Sequence, residues 1–229
     1  MNEAEILASL ANAERSLDEG GSLTGTGFWR AVEAVKGSPE LVERVGARIA
    51  EIDERAFQEW PWIRLPIGVG TAIAIAVTVA GLGGIAAAYY LNEPWSWLVF
   101  GAATAVLIGS THGLAHLAVG RALGMRFTHW FVASISQPQP GVKLDYRSYL
   151  RTPPRRRAWM HAAGALVTKL IPFLVIPAAL AADLPGWVIW VLVTVGVATI
   201  ITDVLWSTKA SDWKRFRREM RHAASADIN

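Results

Sequence analysis

Residues 95–119 read WSWLVFGAATAVLIGSTHGLAHLAV, a stretch without one Asp, Glu, Lys or Arg that carries two histidines, His112 and His116, near its end. A run of about 20 predominantly apolar residues is what a helix needs to cross the hydrocarbon core of a bilayer. Strongly polar side chains are costly there and tend to be paired and functional. Spacing of i and i+4 puts both imidazoles on one face of the helix, the geometry that the H-E-x-x-H zinc helix uses. The glutamate of that pattern is Gly113 here, so the spacing argues for a metal more strongly than for hydrolysis.

Three more apolar stretches flank this one, and we place the spans at residues 67–91, 95–119, 159–181 and 187–206. The 229 residues are 52% hydrophobic and only 18% charged, and the mean hydropathy is +0.30. These values mark an all-α polytopic membrane protein rather than a soluble domain. There is no cysteine, so a disulfide scaffold and a thiolate site are both excluded, and any transition metal must rest on His and carboxylates. The turns Asn92-Glu93-Pro94 and Asp183-Leu184-Pro185-Gly186 lack Lys and Arg, whereas residues 121–157 and 209–221 are rich in both. The positive-inside rule then puts both termini on the cytoplasmic side of a cell membrane.

Outside the spans, residues 1–62 are expected to form a small helical cytoplasmic module. Residues 4–17 and 40–57 carry apolar side chains at helical spacing, with a glycine-rich break between them. No Gly-Lys-Ser/Thr follows those glycines, so they are not a phosphate loop. Residues 63–208 form the membrane domain, and 209–229 a basic cytoplasmic tail. Within the loop between the second and third spans, 131–136 and 142–144 read as short strands around Gln137-Pro138-Gln139-Pro140-Gly141, a β-hairpin at the membrane surface. Arg155-Arg156-Arg157 and Lys214-Arg215-Phe216-Arg217-Arg218 are juxtamembrane; they suit the headgroups of a lipid bilayer, not nucleic acid.

The topology sets the polar residues in depth. His112 and His116 fall near the cytoplasmic end of the second span and Asp203 near that of the fourth. Two neutral imidazoles and one carboxylate make an open zinc shell with a position left for water or a substrate oxygen. The alternative is that the histidines bond to neighbouring helices and Asp203 snorkels to the interface. Five histidines are too few for a di-iron desaturase, and two on one helix face do not serve the two faces of one haem.

His112-x-x-x-His116 followed by Arg121-Ala122-Leu123-Gly124 resembles the site-2 protease (peptidase M50) helix, H-E-x-G-H with a closing R-x-x-G. Ala163-Gly164-Ala165-Leu166-Val167-Thr168 is similar to that family's A-G-P-x-x-N, and Thr202-Asp203 to its aspartate-glycine metal motif. The resemblance covers residues 95–206. It implies a three-helix core, Zn2+ held by His112, His116 and Asp203, and a transmembrane protein segment as partner. A surface strand at Ser134, Ile135 and Ser136, together with Thr168, would meet that substrate. The chain departs from the pattern at Gly113, Ala115, Ala165, Thr168 and Val204.

Gly113 removes the base that would deprotonate a zinc-bound water, a group worth on the order of a hundred- to ten-thousandfold. Asp145 and Lys169 are the candidates to replace it. Lys169 lies within the third span, where a desolvated lysine acts as a base or binds an oxyanion; the other reading is a salt bridge to Asp203, which would take that acid away from a metal. Three functions follow: a metalloprotein impaired or inactive as a peptidase, an active intramembrane zinc metalloprotease with a surrogate base, or a membrane partner-binding protein without metal.

Overall fold

The computed structural model describes residues 1–59, 61–135, 139–205 and 211–226. Four helices in it are long and apolar enough to cross a membrane: Ile67–Tyr90, Trp95–Ala122, Pro154–Ala181 and Gly186–Asp203. In chain order the helices are α1 (Glu3–Asp18), α2 (Phe28–Val35), α3 (Pro39–Glu59), α4 (Ile67–Ala87), α5 (Trp95–Ala122), α6 (Tyr146–Arg151), α7 (Pro154–Leu174), α8 (Ile176–Ala181), α9 (Gly186–Leu205) and α10 (Asp212–Ala226). A capping box opens α1, with the Asn2 side chain accepting from the Glu5 amide while Glu5 accepts from the Asn2 amide. The third span starts on Pro153-Pro154 and breaks into α7 and α8 after Pro172, as expected where a ring replaces an amide donor.

Small residues bring the spans together. A Cβ on Gly84 would stand 2.8 Å from the Cβ of Ala103, and one on Gly81 2.9 Å from Leu107, so α4 and α5 pack almost backbone to backbone. The Thr78 hydroxyl donates across that contact to Ser110 Oγ at 2.9 Å. Towards the other end of the bundle, Ile85, Phe100, Leu107, Val175, Leu184 and Val188 form a second apolar cluster.

The expected hairpin is a three-stranded antiparallel sheet in the order β1 (Ile63–Pro66), β2 (Phe127–Val132), β3 (Gly141–Leu144). Its first strand precedes the first span and was not expected. The middle strand falls at 127–132 rather than 131–136, and β1 and β3 occupy both of its edges. Ser134 and Ile135 therefore lie beyond β2, and Ser136 lies outside the described residues. A register irregularity between Phe127 and His129 lets Phe127 and Trp130, which strict alternation would send to opposite faces, both turn towards α5. The opposite face meets α3, where Phe57 packs on the rings of His129 and Phe131.

The N-terminal helices bury Ile6, Leu10, Phe28, Val32, Ile49 and Ile52 against one another, and the same cluster continues through Tyr149 and Leu150 to Trp130, Leu117 and Met160. The segment read as a basic tail is helix α10, which packs antiparallel along the start of α7. The Phe216 ring meets Trp159 at 5.6 Å, and Glu219 meets Arg157 at 2.8 Å.

Candidate metal centre

Both histidines stand on the buried side of α5, where it faces α7. Gly164 of α7 is what makes room for them: a Cβ there would fall on the His116 imidazole. The Thr168 hydroxyl donates to the Gly164 carbonyl at 2.9 Å, so its oxygen accepts from His112 Nδ1, also at 2.9 Å. His116 Nδ1 donates to the Met160 carbonyl at 2.8 Å. A carbonyl only accepts, and the threonine proton is already used; both rings therefore carry their proton on Nδ1. Each Nε2 is left with a lone pair. Partners that fix a tautomer and aim the other nitrogen are what metal-binding histidines ordinarily have.

The two Nε2 atoms are 3.3 Å apart, and a third acceptor joins them. It is Asp212, not Asp203: Asp212 Oδ2 lies 3.1 Å from His116 Nε2 and 3.3 Å from His112 Nε2. Burial by itself raises the Asp212 pKa, and the carboxyl is held well below the usual carboxylate range where a histidine meets it with an N–H and a positive charge. Three electron-rich atoms converging in a site only 10–18% exposed at its side chains need a cation between them, either a proton on one imidazole or a metal. Tetrahedral zinc with ligand distances of about 2.0–2.2 Å sets its ligand atoms roughly 3.3–3.6 Å apart, and the three observed edges of 3.1, 3.3 and 3.3 Å lie at or just inside the short end of that range. His112, His116 and Asp212 are the group of described residues able to hold a metal ion.

The expected ligand Asp203 is placed elsewhere. Its Oδ2 is 2.8 Å from Lys169 Nζ, and the same ammonium donates to the Ala165 carbonyl at 3.3 Å. An acid within an apolar span takes the nearest cation, and here that is a lysine on the facing helix. Lys169 is thereby occupied and is not aimed at the histidines as a surrogate base. Asp145 is also committed, accepting from the Arg147 amide at 3.0 Å as the cap of α6. Thr168 supports His112.

At Gly113, where the resemblance would place a glutamate, the space is filled from outside. A Cβ there would stand 2.5 Å from Cζ3 of Trp130, and a Cβ on Gly70 of α4 would also collide with that indole. Trp130 is wedged between two glycines, with its Nε1 donating to Thr71 Oγ1 at 3.1 Å. The indole also lines an open apolar pocket of about 310 Å³ between α4, α5 and the sheet.

The remaining histidines serve other contacts. His161 Nε2 is 2.9 Å from the Tyr149 hydroxyl, His222 meets Glu33 at 2.9 Å, and the His129 ring lies tilted against Phe57 with centroids 5.7 Å apart. Comparison with family models, curated proteins and solved structures finds no match to this chain.

Proposed function

We propose that this is an integral membrane metalloprotein that binds a divalent transition metal, zinc in the first instance, through His112, His116 and Asp212, and that it is a non-hydrolytic relative of the site-2 proteases. The convergence of three lone-pair atoms at 3.1–3.3 Å, with both Nδ1 protons already donated, carries the metal reading. The choice of zinc rests on its preference for four ligands of the imidazole and carboxylate kind. The His pair on one helix and a supporting threonine on the next are what the resemblance to the protease family offers.

The peptidase activity of that family needs a base beside the metal-bound water. The indole on Gly113 takes that space, and Lys169 is spent on Asp203. Binding without cleavage is therefore the function we favour, with a transmembrane segment of another protein as the partner and both termini in the cytoplasm. Elemental analysis of the detergent-purified full chain after zinc supply tests the metal. About one equivalent, lost in His112→Ala, is the expected result; a protein that takes up no metal overturns it.

A further inference from the structure

We propose that Glu219 is a positioning residue for the metal centre, and that through it the N-terminal helices set the affinity of His112, His116 and Asp212 for their ion. The inference rests on the metal reading above and adds a means of controlling it. Asp212 and Glu219 are seven residues apart on α10, two turns along one face. Asp212 reaches the histidines. Glu219 is fully buried and sits 2.7 Å from Lys36 Nζ, at the end of α2, and 2.8 Å from Arg157 Nε of α7. The Tyr149 hydroxyl donates to it at 2.8 Å, and both cations also lie over the Tyr149 ring.

One carboxylate thus holds two buried cations from two different helices. Sliding α10 by a turn would carry Glu219 about 5.4 Å away and strand it and Arg157 in a dry interior, with Lys36 keeping only Glu33 at 3.1 Å, which is strongly unfavourable. The cluster therefore allows α10 one register, and that register brings Asp212 to the histidines. Apart from them, the ion-pair partner of Asp212 among the described residues is the half-exposed Arg215 at 4.0 Å, too weak a contact to fix it. Packing along α7 holds α10, and α2 adds the ion pairs that fix its position: Glu33 meets Arg218 at 3.1 Å and His222 at 2.9 Å, beside the Lys36 pair. A partner that pulled α2 away would release the third ligand.

The test is Co2+ titration of the full chain in detergent, read by the ligand-field absorption bands of the bound ion and by competition with Zn2+. Glu219→Gln keeps the shape and removes the charge. It should weaken Co2+ binding ten- to hundredfold, the range for groups that orient metal ligands, and should speed amide hydrogen exchange along α10. Glu219→Asp keeps the anion between Lys36 and Arg157 and should hold Co2+ binding to within a few-fold of the parent, which separates loss of the charge from a general loss of stability. Should Glu219→Gln not fold, Lys36→Met carries the same expectation. Unchanged Co2+ affinity in a folded variant overturns the proposal and leaves the metal centre standing. No Co2+ uptake by the parent protein overturns both.

Discussion

Two aspartates enter the membrane domain, and they differ in what neutralises them. Asp203 faces a lysine at 2.8 Å; the pair is electrically complete and needs no third party. Asp212 faces two imidazoles whose Nδ1 protons are given to Thr168 and Met160, so its charge meets lone pairs and the site is one cation short. A complete pair is a reason for two helices to stay together. An incomplete triad is a reason for a metal to bind.

The largest effect should separate the two acids. Asp212→Asn removes a ligand and should lower zinc affinity by more than the ten- to hundredfold that supporting groups cost. Asp203→Asn should leave it nearly unchanged. Equilibrium competition against a fluorescent zinc chelator measures both, and equal losses would erase the distinction.

Much of this arrangement is legible in the sequence, for identifiable reasons. Apolar length alone locates the four spans, because every backbone group in lipid must be satisfied within a helix. The i and i+4 spacing locates the histidine pair. Asp212 was missed because depth was assigned only to residues inside spans, while the third acid arrives on a helix that folds back along α7. A signal did exist: Asp212 and Glu219 are two acids seven apart in a run otherwise of Lys, Arg and aromatics, an acidic face on a basic helix. Strand β1 escaped because Ile63-Arg64-Leu65-Pro66 has almost no strand pattern of its own and is defined by its register against β2.

Support around the triad should matter next. Thr168→Val keeps the shape and removes the oxygen that orients His112, so zinc affinity should fall ten- to hundredfold. Thr168→Ser retains the hydroxyl and should recover most of it. If valine binds zinc as tightly as threonine, the tautomer of His112 is set by something else.

The ion pair should show its character in stability rather than in metal. Lys169→Met strands Asp203 without a partner. Since both side chains are about one-fifth exposed, the cost should fall below the ~3–5 kcal/mol of a fully buried pair, near ~2 kcal/mol. Lys169→Met with Asp203→Leu removes both charges and should restore much of that loss. Thermal unfolding in detergent compares them; a double variant no better than the single one would mean that the pair does more than balance charge.

The smallest effect should come from placing a glutamate at Gly113. Gly113→Glu has to place a side chain where the Trp130 indole already stands, and Trp130 cannot retreat towards α4 because Gly70 is in contact with its other side. Overpacking of this kind costs ~1–3 kcal/mol, a few degrees in Tm for a chain of this size, and the new carboxylate is driven off the line towards the histidines. No peptide cleavage should appear. Gly113→Glu combined with Trp130→Ala clears the slot, so cleavage confined to the double variant would identify the indole as the block. Cleavage by Gly113→Glu alone, with an unchanged Tm, would show that the glutamate fits beside Trp130 and that the centre is a dormant peptidase rather than a binding site.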